Sequence, residues 1–235
     1  MRRRCGVVPG PALYDRLTGY DNLRGGGARA RLFDVPASRI DERIDEEAER
    51  FGITAALEMR VGGYSTGMRA RLALARAMLH EPDLPLLDEP TAGLDPESAR
   101  AVLALIEKLA EQGKAVLMCT HVLLEAEGLA DAVVVLDRGR TLVAGSPEQL
   151  TRRYWPGARV VLDAENPSLL DEAQGLPHVR SYNRNGAATV ELTDPGRVPD
   201  LIDALVGAGV RLRRVEPQTP TLEQLYFAIR RAVDA

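Results

Sequence analysis

Cysteine, aromatic residues, excess positive charge and long apolar runs are all scarce in this chain, and each shortage removes a class of protein. The two cysteines, Cys5 and Cys119, lie far apart without metal-ligand spacing. That excludes a disulfide scaffold and predicts free thiols in a reduced compartment. Aromatics make up only 4% of the 235 residues. The net charge of −4 and pI near 5.5 remove the electrostatic case for a nucleic-acid partner. No apolar run approaches the length of a membrane-spanning helix, and Asp131 and Asp137 bracket one candidate, Val133 to Leu136. The start, Met1 to Arg4, is basic like a signal peptide, but Gly6, Pro9, Gly10 and Pro11 break up the apolar stretch a signal requires. The expectation is a soluble protein, so any transport role needs a separate membrane partner.

Apolar residues reach 45%, enough for a sizeable core. Cys5 to Val8 reads as the end of a strand before a Pro/Gly turn. Gly25 to Gly27 is either a flexible break or a weak point in a helix. From Pro36 the period is helical, with Ile40, Ile44, Ala48 and Phe51 on one face and acidic residues on the other. Ser65 to Leu79 is a second helix that Ser65 is placed to cap. A short apolar strand, Leu84 to Leu87, ends in Asp88-Glu89. A helix from Pro96 turns Val102, Leu105, Ile106 and Leu109 inward. Ala115 to Cys119 reads as a buried strand ending at Thr120-His121. A hairpin turned at Arg138-Gly139 closes this domain. Alternating strands and helices predict an α/β fold with a parallel sheet.

Past Leu150 the pattern is βαββαβ plus a last helix, which predicts a small ferredoxin-like α+β domain. It carries no catalytic-looking cluster and reads as an accessory module, with Arg211, Arg213 and Arg214 as a solvated face. The expected domains are therefore residues 1–150, with a helical subdomain over about 15–80, and residues 151–235.

Three clusters carry chemistry. Leu86 to Asp95 reads Leu-Leu-Asp-Glu-Pro-Thr-Ala-Gly-Leu-Asp. A buried strand that ends in two carboxylates can hold a metal with one and polarise an attacking water with the next. Taken alone, Asp88-Glu89 is equally readable as an ordinary strand followed by an acidic turn. Upstream, Tyr64-Ser65-Thr66-Gly67-Met68 opens a helix, where backbone N–H groups bind phosphate and small residues let it approach; alone, it is a plain N-cap. Downstream, Thr120-His121 follows a strand, where a lone histidine is usually structural. Order and spacing of the three together decide.

That combination resembles the ATP-binding cassette (ABC) ATPases, in particular the drug and antibiotic exporter type, and the resemblance runs nearly end to end. Ser65, Thr66, Gly67 and Met68 resemble the family's signature motif, a nucleotide-binding element. Leu84 to Glu89 resembles its Walker B strand, with Asp88 the Mg-associated residue and Glu89 the catalytic base. Gly93-Leu94-Asp95 resembles the D-loop, which places Asp95 at the nucleotide, and His121 the switch histidine. The tail from Glu216 to Phe227 resembles the end of exporter ATPases. The resemblance implies a P-loop NTPase-like sheet with a helical signature subdomain, ATP and Mg²⁺ as ligands, and ATP hydrolysis driving export. It implies as partners an integral-membrane permease and a second ATP-binding subunit in a dimer, with the chain peripheral at the cytoplasmic face of the plasma membrane.

Several positions depart from the family. No G-x-x-x-x-G-K-[S/T] phosphate loop occurs in the sequence. Gly10-Pro11 stand where a glutamine is expected, and Pro85 interrupts the Walker B strand. Each charge-assisted phosphate contact contributes about 1.5–3 kcal/mol, so the chain alone is predicted to be an incomplete, inactive ATPase. The leading expectation is a split or misassigned gene whose upstream portion, separately encoded if the gene is split, carries Walker A and restores the enzyme. The alternatives are a non-catalytic subunit lending its signature motif in trans, and a non-functional gene fragment. Leu84, Leu86 and Leu87 are expected to be left with an unpaired strand edge and an uncovered face.

Overall fold

The computed structural model describes residues 5–8, 13–30, 35–155 and 157–234. Gly10 and Pro11 lie outside them. The chain divides into two compact units, Met1–Glu125 and Ala126–Ala235.

In the first unit, β1 (Cys5–Val8), β2 (Leu84–Asp88) and β3 (Leu117–Cys119) form a parallel sheet in the order β1-β2-β3. Cys5 to Val8 pair with Leu84 to Leu87, and Leu86 to Asp88 with Leu117 to Cys119. The expected unpaired edge on β2 is therefore not there, since β2 has a neighbour on each side. The edges are β1 and, on the other side, β3, which pairs among the described residues with β2 alone. Strand β3 is also not buried: Leu117 is 54% exposed, because no described element covers it. Pro85 sits inside β2 opposite Gly6. The Ala115 N–H already donates to the Asp83 carbonyl at 2.9 Å, and the paired register with β3 runs from Leu86. The proline, which has no N–H to give, therefore leaves a gap inside the β2–β3 ladder.

Three helices, α1 (Gly19–Ala30), α2 (Ile40–Arg50) and α3 (Thr66–Met78), pack on one another between β1 and β2. Helix α1 runs unbroken through Gly25 to Gly27. Its first turns are pinned: Leu23 is fully buried, and the buried Asn22 amide donates to the carbonyls of Tyr14 and Thr18. Helix α2 buries Ile40, Ile44 and Ala48 as its period predicts. Its acidic side is not all solvated, however. Glu47 is fully buried, with the guanidinium of Arg43 donating to it and Arg50 beside it. Two cations compensate a carboxylate that burial otherwise pushes toward its neutral form, raising its pKa. Helix α4 (Pro96–Glu111) then buries Val102, Ile106 and Leu109, and the division between the units falls within the last turn of the short α5 (Leu123–Ala126).

The second unit opens with an antiparallel hairpin, β4 (Val133–Asp137) and β5 (Arg140–Gly145), turned at Arg138 and Gly139 with φ of +47° and +76°. Both central residues are left-handed, which only glycine adopts freely. Helix α6 (Pro147–Tyr154) follows, closed by a capping box between Ser146 and Gln149. Val135, Val143 and Leu150 form one core with Leu225 and Ile229 of the last helix, α8 (Leu222–Asp234). That core explains why the division falls at Glu125 and not at Leu150: hairpin and α6 pack against the C-terminal helix.

The remaining strands, β6 (Ala158–Ala164), β7 (Val179–Asn185), β8 (Ala187–Leu192) and β9 (Leu212–Gln218), form an antiparallel sheet in the order β7-β8-β6-β9. The segment Pro167–Gly175 between β6 and β7 is a 3₁₀ helix, and α7 (Val198–Gly207) joins β8 to β9. Val160, Leu162, Ala188, Val190, Leu201 and Leu205 make the core beneath the sheet. Arg211 and Arg214 pair on the surface with Glu165 and Glu216.

Candidate active site

The chemistry of the first unit gathers where its parallel strands end. Strand β2 delivers Asp88 and then Glu89, whose backbone N–H donates to the carbonyl of Cys119 at 2.9 Å. That bond carries the β2–β3 pairing one residue past the strand and fixes Glu89 beside the segment that leads to His121. Glu89 is left-handed, at φ +47°, a region costing a non-glycine residue about 1–3 kcal/mol unless its surroundings hold it there.

The surroundings do hold it. Oε1 of Glu89 accepts the backbone N–H of His121 at 3.1 Å and lies 2.7 Å from His121 Nδ1. The other oxygen, Oε2, is buried and has no hydrogen-bond partner among the described residues. A buried acceptor left open is a place for a donor that the described residues do not supply. The Glu89 hydrogen bond, and secondarily its charge, raise the pKa of the His121 imidazole above the ordinary histidine value. Below that raised pKa the imidazolium donates from Nδ1. Asp88 is exposed at the end of β2.

Two helix N-termini form a second cluster. Ser65 caps α3, its hydroxyl accepting the N–H of Met68 at 3.2 Å. Asp95 caps α4, its carboxylate accepting the N–H of Ser98 at 2.9 Å. The Ser98 side chain and backbone hold the Asp95 pKa below its usual value. The two caps are neighbours through Gly67: a Cβ there would stand 2.9 Å from Ser98 Oγ, so only glycine lets α3 and α4 approach this closely. Ser65 and Thr66 are exposed, Gly67 is buried and Met68 half-buried. Between the clusters, the hydroxyl of buried Thr91 donates to the Glu125 carboxylate.

The structure thus brings Glu89 onto His121, and Ser65 to Met68 onto the start of α4 beside Asp95. No hydrogen bond or ion pair among the described residues joins the two clusters. Sequence reasoning missed Ser98, whose signal is its place three residues after a capping aspartate. It also missed the Thr91–Glu125 bond, which spans 34 residues and has no local signal. Among the described residues no group of three or more His, Cys, Asp or Glu gathers to hold a metal. No described helix is long and apolar enough to cross a membrane.

A parallel sheet with an acidic strand end, a histidine at the next strand end and a small-residue helix start defines a class of α/β protein whose polar residues gather at the strand ends. Sequence relationships make it specific. The profile of the family described as "ABC transporter" matches residues 1–92. The uncharacterized ABC transporter ATP-binding protein YdbJ of Bacillus subtilis (strain 168) is 35% identical over 222 residues, covering 94% of this chain and 69% of that protein. The Nod factor export ATP-binding protein I of Rhizobium sp. (strain N33) is 32% identical over 230 residues, covering 97% of this chain and 73% of that one. A solved ATP-binding subunit of an ABC transporter superposes with a TM-score of 0.55 at 29% identity, covering 66% of this chain and 63% of its own. The chain belongs to the family of ABC transporter ATP-binding proteins. It spans about two thirds to three quarters of the length of these relatives.

Proposed function

We propose that this chain is an ATP-hydrolysing subunit of an ABC exporter, coupling Mg·ATP hydrolysis to export through a membrane permease. The observation that carries the reading is Glu89: one carboxylate oxygen held by His121, the other buried and open, on a strained residue at the end of β2. Bound Mg·ATP supplies the phosphoryl group and the charge that the site compensates. Glu89 accepts a proton from the attacking water, and His121 holds Glu89 in place and senses the occupied site. Asp88 is the carboxylate for Mg²⁺, an ion that takes one or two protein carboxylates beside phosphate oxygens. Ser65, Thr66, Gly67 and Met68 form the signature element, where the start of α3 receives phosphate, with Asp95 next to it. The open Oε2 and the glycine-only approach at Gly67 fit such a ligand.

The phosphate loop that completes the site does not occur in these residues, so a complete site draws it from a separately encoded N-terminal portion or a longer chain. A second ATP-binding subunit forms a dimer with this one. The placement is the cytoplasmic face of the plasma membrane, by way of the permease. The relative named for Nod factor export supports the direction of transport. The exposed Ser65-Thr66 pair also supports a second reading, in which this chain lends its signature element to a partner's nucleotide. In the C-terminal unit, the sheet order β7-β8-β6-β9 supports a ferredoxin-like accessory module.

The test is Glu89→Gln in the complex assembled with the Walker A portion and permease. The amide keeps the shape but cannot take the proton, so turnover should fall by about 10²–10⁴-fold while nucleotide stays bound. Undiminished turnover overturns the assignment of Glu89.

A further inference from the structure

Beside the sheet of the C-terminal unit lies a cleft of about 610 Å³, a volume typical of small-molecule sites. Its walls include Tyr154 and Trp155 at the end of α6, Arg159 of β6, Arg180 of β7, Glu191 of β8 and Arg231 of α8. Three guanidinium groups less one carboxylate leave the walls at +2, in a chain whose net charge is −4. The one carboxylate is already engaged. Arg159 donates to Glu191 Oε1 at 2.7 Å and the Ser181 hydroxyl to Oε2 at 2.8 Å.

The other two arginines are not engaged in this way. Arg180 is exposed and has no hydrogen-bond or ion-pair partner among the described residues. Among the described residues Arg231 donates only from Nε, in a long 3.3 Å bond to the Phe227 carbonyl of its own helix. The Nε of Arg159 is buried without a hydrogen-bond partner among the described residues. Surface arginines elsewhere in this unit, such as Arg184 with Asp171 and Arg197 with Asp200, sit in ion pairs. Two guanidinium forks without an ion-pair partner among the described residues, although Arg180 is within electrostatic reach of Glu191, stand beside a half-buried indole. They form a site for a planar anion: charge-assisted hydrogen bonds hold the head, and the ring offers an apolar face.

We propose that this cleft binds a small aromatic carboxylate, its anionic head paired with Arg180 and Arg231 and its ring against Trp155. The site is independent of the nucleotide chemistry of the first unit. Trp155 is the only tryptophan in the chain, so its emission reports occupancy directly.

The experiment is calorimetric titration of the full chain with 2-naphthoate, with its neutral analogue 2-naphthamide and with inorganic phosphate, followed in parallel by Trp155 emission. Saturable naphthoate binding with a change in that emission is expected, at least tenfold tighter than naphthamide or phosphate. Arg180→Glu and Arg231→Glu should each weaken it by tenfold or more. Arg197→Glu, outside the cleft, should leave it unchanged, with circular dichroism checking that every variant is folded. Should a charge reversal disturb folding, Arg180→Gln and Arg231→Gln give the same reading with a smaller loss. Equal affinity for naphthoate and naphthamide overturns the role of the charge, and equal affinity for phosphate overturns that of the ring. Unchanged binding in both arginine variants, or no binding at all, overturns the site.

Discussion

The two sheets of this molecule are built on opposite plans. The antiparallel sheet of the C-terminal unit places β6 in its interior and buries Val160, Leu162 and Ala164 along it, closing over its own core. The parallel sheet of the first unit has three short strands, and β3 leaves Leu117 and Cys119 exposed. Yet the open sheet carries the chemistry. Parallel strands all end on one side, so β2 and β3 bring Glu89 and His121 together from 32 residues apart. An antiparallel sheet alternates its strand ends and gains a closed core instead. One plan concentrates function and the other concentrates stability.

Removing core volume should break the comparison most sharply. Leu162→Ala, at a fully buried position of β6, should cost about 2–5 kcal/mol in urea unfolding of the C-terminal unit. Leu117→Ser on β3 should change stability by no more than about 0.5 kcal/mol. A cost above 2 kcal/mol for Leu117→Ser would mean that β3 is covered after all.

The helix caps sharpen it next, since each unit has a serine cap. Ser65→Ala and Ser146→Ala should each cost about 0.5–2 kcal/mol by thermal unfolding. Only Ser65→Ala should also weaken nucleotide trapping in the assembled complex. Equal trapping by the two variants would reduce Ser65 to a cap.

Titration gives smaller effects. The His121 midpoint, followed by NMR, should lie above the ordinary value of about 6.5 and fall back in Glu89→Gln, since the Glu89 hydrogen bond is the main cause. Because the folded pKa is raised, the pair's contribution is complete below the unfolded value and disappears as pH rises through the folded one. At 77% side-chain exposure, solvent screening keeps it small. In the other unit, burial and the Asp171 hydrogen bond push the Tyr182 phenol up to about 12. Ultraviolet titration should show one tyrosine that ionises later than the rest, and Tyr182→Phe should remove it.

Much of this was legible in the sequence because it rests on local chemistry. The caps Ser65 and Asp95, the apolar face of α2 and the turn at Arg138-Gly139 each follow from residues a few positions apart. What was not legible depends on distant partners. The continuity of α1 through three glycines rests on Leu23 and Asn22 packing, and the burial of Glu47 on Arg43 and Arg50. The boundary at Glu125 depends on α8, nearly a hundred residues downstream of it. The site followed the same division: strand-end carboxylates and histidine could be named, whereas the open, buried Oε2 of Glu89 is visible only once β3 is in place.

The left-handed backbone at Glu89 also bears on how the gene would drift. Glycine or asparagine would suit that conformation better than glutamate, so random substitution filtered for folding alone would tend to replace it. Position 89 is a sensor of selection: among natural variants of this gene, a steady glutamate there marks lineages that still use the carboxylate. Glycine or asparagine at position 89, with the fold intact, marks lineages in which the chemistry has lapsed and only the scaffold is kept.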